Sequence, residues 1–168
     1  MDLWRFALDG GLLEGALALV KLPRLQDELA DAKGEIFFRV QGETTGVEHP
    51  GGHGKAALRV SVSGELPLIC QRCLSPVAIP LRIESRLELA DAESVLTQEE
   101  LEDETLDFLP VAAGKAGFRS ALELVEDEIL LALPTAPRHD DCALPVVEAI
   151  QTEHPFAALA ALKGRVTD

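Results

Sequence analysis

A chain of 168 residues is long enough for one domain with a real core, and its 47% hydrophobic content argues for a folded body. Fifteen basic against 29 acidic residues leave a net charge of −14, which excludes gripping naked nucleic acid through a basic face and favours a basic protein as partner. No apolar run approaches the roughly 20 residues of a membrane span, Asp2 and Asp9 stand where a signal peptide is basic, and three cysteines close no disulfide framework, so a reducing cytoplasm is expected.

In chain order, Leu3 to Leu8 reads as a short strand ended by Gly10-Gly11. Leu17-Ala18-Leu19-Val20 follows. Pro23 then precedes Leu25 to Ala30, a pattern that predicts a short helix with proline in its first turn and Gly34 past its end. Over Glu35–Gln41, Ile36, Phe38 and Val40 alternate with Glu35, Phe37 and Arg39, which predicts a strand. Gly42 to Gly54 reads as a loop. His49 and His53 sit in it at a spacing open to a metal, but in a glycine-rich loop they read as solvated surface.

Leu58, Val60 and Val62 alternate with Arg59, Ser61 and Ser63, and the extended run continues past Gly64 to Cys70. The longest strand signal follows, with Val77, Ile79, Leu81, Ile83, Leu87 and Leu89 on one side and Pro80, Arg82, Glu84, Arg86 and Glu88 on the other. One face is dry and one is wet. The two strands are expected to pair as an antiparallel hairpin joined by Cys70 to Pro76, with Pro80 suited to an edge.

Asp91 to Asp107 holds eight acidic residues and no basic one, an acidic connector that reads as solvated or, alternatively, as bait for a basic partner. Thr105 to Pro110 predicts a short returning strand. Phe118, Leu122, Val125, Ile129 and Leu133 then recur at three- and four-residue steps, a helix with Glu123, Glu126 and Asp127 mostly on its other side. Pro134 stops it, and Pro134-Thr135-Ala136-Pro137 must leave it extended. In the tail, Phe156, Leu159 and Leu162 share one face of a short amphipathic segment.

The expected fold class is α+β: one domain over residues 1–145, a curved antiparallel sheet of five or six strands packed with the helix ending at Leu133. The acidic connector covers 91–107 and the tail 146–168. A Cys-x-x-Cys pair in a tight turn sets two sulfurs to clasp one zinc ion, and Cys70 and Cys73 joined by His139 and Cys142 would make a tetrahedral Cys3His set. Two other readings stay open, a metal-free packed turn and a thiol-redox pair, although a redox pair belongs at a helix N-terminus rather than between strands. Glu126, Asp127 and Glu128 on the helix, with Phe156 and Leu159 in the tail, are candidates for binding a basic partner. Arg82 or Arg86 would pair with the helical acids if the helix crosses the sheet. There is no phosphate loop, Gly-x-Ser-x-Gly or His-Glu-x-x-His motif, so nothing demands an enzyme.

Four stretches closely resemble, in order, the YceD family of bacterial large ribosomal RNA subunit accumulation proteins. They are Leu68 to Cys73, Leu124 to Pro134, His139-Asp140 with Cys142, and His154 to Lys163. The similarity covers roughly residues 55 to 165. It implies a non-enzymatic cytoplasmic role in synthesis, processing or stability of 23S ribosomal RNA, with a large-subunit precursor or a basic ribosomal protein as partner. A thiol-redox or RNA-processing enzyme is the alternative. In that family the pair is often joined by further C-terminal cysteines, which favours metal; here only Cys142 stands there, leaving the fourth ligand open among His139, Asp140 and Asp141.

Overall fold

Period-two alternation on both sides of the cysteine pair builds the largest part of the molecule. The computed structural model describes residues 1–45, 55–91, 107–111 and 120–144. In chain order these form α1 (Leu3–Leu8), β1 (Leu12–Ala18), a 3-10 turn (Leu19–Lys21), β2 (Glu35–Thr45), β3 (Lys55–Ile69), β4 (Pro76–Asp91), β5 (Asp107–Val111) and α2 (Ala121–Ala132). The strands make one sheet in sequence order, so the α+β expectation holds. β3 and β4 form the expected hairpin, in register from Ile69↔Pro76 to Ala57↔Glu88.

The sheet is mixed rather than antiparallel throughout, because β5 joins β4 in parallel from Leu87↔Asp107 to Asp91↔Val111. A parallel neighbour requires a crossover of a dozen or more residues. Residues 92–106, which lie outside the described residues, are enough for one and contain no Gly, Pro or Asn for a tight hairpin turn. β5 reaches only the far end of β4, so Pro80, paired with Glu65 of β3, has no β5 residue beside it. Its missing amide donor costs little there.

On the packed face, Ile36, Val40, Leu58, Val60 and Leu66 are fully buried. The opposite face exposes Arg39, Arg59, Arg82 and Glu84. α2 closes the core with Leu124, Val125 and Ile129, each worth about 2 kcal/mol on burial. Its capping box, with Ser120 accepting from the Leu122 amide and Glu123 accepting from the Ser120 amide, adds about 1 kcal/mol. Packing therefore outweighs capping. The helix ends at Ala132, with Leu133 in the extended region ahead of Pro134, as the proline requires.

Two local expectations are corrected. Leu3–Leu8 is a helix, not a strand: Asp2 accepts from the Arg5 amide at 3.1 Å, and Leu3 and Ala7, one turn apart, are both buried. α1 lies so close to β2 that a Cβ on Gly42 would sit 2.5 Å from the Phe6 carbonyl oxygen, so only glycine fits. Leu25–Ala30 is a run of turns ending in a bridge from Leu29 to Leu68, not a helix. The Glu126 carboxylate takes the amides of Arg24 and Leu25, and the Gln26 side chain takes the carbonyls of Leu19 and Leu22. The amides of Glu28 and Leu29 close only three-residue turns onto Leu25 and Gln26, and the Ala30 amide donates to the Pro67 carbonyl at 2.7 Å, so pairing with β3 replaces continuation of a helix.

Candidate metal centre

The connection between β3 and β4 is a tight, hydrogen-bonded bend. The Cys70 amide donates to the Ser75 carbonyl at 2.9 Å, and the Leu74 amide donates to the Cys70 carbonyl at 2.9 Å. Closing it forces Leu74 into the left-handed region, with φ 62°. The Arg72 amide points at the Cys70 sulfur, 3.4 Å away.

Beyond α2 the proline-rich strap returns to this bend. Prolines keep the strap extended, and the Pro137 carbonyl accepts from the Gln71 amide at 2.8 Å. One step further, the Arg72 guanidinium donates to the Cys142 carbonyl at 3.4 Å. The strap thereby delivers His139 and Cys142 to the bend that carries Cys70 and Cys73. The ligand-type atoms of these four residues all lie within 4.8 Å of one another. Asp140 and Asp141 are exposed and are not part of that group.

The donor set can be tested against a zinc ion. Tetrahedral zinc with Zn–S about 2.3 Å and Zn–N about 2.0 Å requires sulfurs about 3.8 Å apart and sulfur to nitrogen about 3.5 Å. Cys70 Sγ and Cys142 Sγ are 3.8 Å apart, and Cys73 Sγ is 3.4 Å from His139 Nδ1. The residues fit the ion. The other ring nitrogen, Nε2, lies 3.1 Å from the Pro76 carbonyl oxygen. A carbonyl only accepts, so Nε2 holds the hydrogen and Nδ1 is the atom turned to the cluster, the arrangement expected of a ligating histidine.

Electrostatics agree with a site that prefers charged ligands. Burial pushes the Cys70 thiol up, but the amides of Cys73, His139 and Arg72 and the His139 ring outweigh it and hold the thiol at about 5. The Ser75 amide lowers Cys73, while burial raises Cys142. Hydrogen bonding to Cys70, then Cys73, raises the His139 imidazole. Cys70 is fully buried, whereas Cys73, His139 and Cys142 are partly buried.

Residues 58–163 match the family model described as large ribosomal RNA subunit accumulation protein YceD. The chain belongs to the YceD family. No solved structure matches it. The matched span contains both halves of the cysteine cluster, together with β4, β5 and α2, while α1, β1 and β2 precede it. Membership of YceD links the chain to accumulation of large-subunit ribosomal RNA. No helix among the described residues is long and apolar enough to cross a membrane.

The other sequence candidates fall differently. Glu126, expected on the wet side of the helix, is 2% exposed and accepts from the Arg24 amide at 2.7 Å, the Leu25 amide at 3.2 Å and Arg24 Nε at 3.2 Å. Asp127 pairs with the Arg24 guanidinium, and Glu128, also buried, accepts from Ser85 of β4. Arg86 pairs with Glu43 and Glu88 instead. Phe156, Leu159, His49 and His53 lie outside the described residues. Sequence reasoning missed Arg24, whose only signal was a general excess of acid seeking cations, and Ser85, for which the sequence carried no signal. A hollow of about 700 Å³ between α2, β4 and β5 is lined largely by apolar side chains such as Ile83, Leu87, Phe108 and Leu109. None of the four cluster residues lines it.

Proposed function

We propose that this chain is a non-enzymatic factor for synthesis, processing or stability of 23S ribosomal RNA, acting in the cytoplasm through a basic protein partner. The observation that carries the reading is the family match over residues 58–163. The net charge of −14 supports a protein intermediary, since an acidic surface attracts basic ribosomal proteins and repels RNA phosphates. In this reading Cys70, Cys73, His139 and Cys142 hold a structural zinc ion that pins the strap after α2 to the β3–β4 bend. Zinc would supply a cross-link between two distant segments, and the chain's residues supply three thiolates and a neutral imidazole oriented by Pro76. Asp127, together with Phe156 and Leu159, is retained as a docking candidate; Glu126 and Glu128 serve it chiefly by positioning α2.

The low Cys70 thiol favours one second reading, a thiol-redox enzyme. Its full burial and its place between strands, away from any helix N-terminus, argue against it. Capture of the tagged chain from growing cells, with mass spectrometry and RNA sequencing, tests the main proposal. The expected result is large-subunit proteins, with RNA lost once they are removed. RNA that stays bound to the purified chain alone overturns the protein intermediary. Replacing Cys70 and Cys73 by Ser should remove zinc, unfold the bend and raise 23S precursors, whereas a folded variant lacking only turnover of a substrate would establish the enzyme.

A further inference from the structure

We propose that the cluster is an exchangeable cross-link: a two-electron oxidant of the peroxide class joins Cys70 to Cys142 as a disulfide, expels the metal, and leaves the strap fastened to the β3–β4 bend. This rests on the zinc reading above and concerns the fate of that same site under oxidation. The sulfurs of Cys70 and Cys142 stand 3.8 Å apart across the two segments, while Cys73 is turned to His139 Nδ1 at 3.4 Å. All four ligand atoms lie within 4.8 Å of one another, so Cys73 is the competing partner, and Cys70–Cys142 is the pair whose disulfide keeps the two segments joined. A Cys70–Cys73 disulfide would instead leave the strap without a covalent or metal tie.

Exposure sets the order of events. Cys142 is only partly buried and meets the oxidant, whereas Cys70 is fully buried and waits behind it. The Cys142 thiolate attacks one peroxide oxygen, the O–O bond breaks, and the leaving hydroxide takes a solvent proton to become water. The Cys70 thiolate then attacks the sulfenic sulfur, the S–S bond forms, the S–O bond breaks, and the second hydroxide leaves as water. Two thiolates lose two electrons and peroxide gains them.

With two of its four ligands gone, zinc is left with Cys73 and His139, too few to keep it. The new bond closes the same 72-residue separation that the metal closed, so the restriction on the unfolded chain is retained. Arg72 Nη1 on the Cys142 carbonyl and the Gln71 amide on the Pro137 carbonyl hold the strap in place while the ligands change.

The test uses the full chain, loaded with zinc and titrated with hydrogen peroxide. Zinc release is followed with a chromogenic chelator, disulfides by peptide mass spectrometry without reduction, and folding by thermal melting. The expected result is one Cys70–Cys142 disulfide per zinc released, a cooperative melt kept within a few degrees, and full reversal by a thiol reductant with added zinc. Cys73→Ser should still form the bond and Cys142→Ser should form none. A Cys70–Cys73 or intermolecular disulfide, sulfinic acid at Cys142, or release accompanied by loss of the melt overturns the proposal. Should the chain bind no zinc at all, the zinc reading fails, and disulfide mapping on the metal-free chain alone decides this one.

Discussion

His139 Nε2 lies 3.1 Å from the carbonyl oxygen of Pro76, the first residue of β4. That contact turns Nδ1 toward Cys73, and in the zinc reading it makes His139, rather than Asp140 or Asp141, the proposed fourth ligand. His139→Ala should weaken zinc binding by about 10-fold or more, in line with the loss of ligand-orienting contacts. Asp140→Asn and Asp141→Asn should leave affinity unchanged. Competition with a chromogenic chelator measures all three, and an aspartate variant that matches His139→Ala would reassign the ligand.

Glu126 joins two parts of the chain that lie 102 residues apart, through the Arg24 amide and guanidinium. Because the carboxylate is 2% exposed, its removal strands two backbone amides in the interior. Glu126→Ala should cost about 3 kcal/mol in urea unfolding. Glu126→Gln, which keeps an acceptor oxygen, should cost clearly less. Equal losses for the two would mean that the amides find other partners and that the charge alone matters.

Those same residues explain what could be read from the sequence. The β3–β4 hairpin and α2 were legible because their apolar periods, two and near 3.6, run through long segments broken only at single positions such as Gly64 and Ser85. The cluster was legible because Cys70 and Cys73 stand in a turn between two such strands, while His139 and Cys142 follow a proline stop that forces an extended strap. The Leu25–Ala30 segment was not legible, since the Ala30 amide is taken by the Pro67 carbonyl and Leu29 bridges to Leu68, distant partners that local propensity cannot register. α1 was misread for a similar reason: six residues carry too little pattern, and its stability comes from the Asp2 cap and the close approach that Gly42 permits. β5 was expected, but its direction depends on a crossover rather than on its own residues.

Leu74 occupies the left-handed region at φ 62° although it is not glycine, and its side chain is 64% exposed. Little packing is lost on truncation, while a non-glycine residue there costs about 1 kcal/mol. Set against the greater freedom of unfolded glycine, Leu74→Gly should raise stability by about 0.5 kcal/mol. Leu74→Val, stiff at its branched carbon, should lower it by about 1 kcal/mol. Urea midpoints for the pair, taken with zinc bound, check both; a destabilising glycine would show that the exposed leucine holds a contact that matters more than its backbone.

Glu43 on β2 lies between Arg59 at 2.6 Å and Arg86 at 3.3 Å, so its carboxyl is held below the ordinary value, chiefly by the Arg59 hydrogen bond against the opposing effect of burial. A group with a depressed folded pKa stabilises the fold above its unfolded pKa, and that stability is lost as pH falls through the folded value. Glu43→Gln should therefore cost about 1 kcal/mol at neutral pH, and the gap between the two proteins should close progressively below about pH 4.5, where the unfolded chain begins to take up its proton. High salt should narrow the neutral-pH gap as well, because Arg59 is half-exposed. Chemical denaturation across pH 3 to 7 reads the effect, and a gap that stays constant with pH would assign the loss to packing instead of charge.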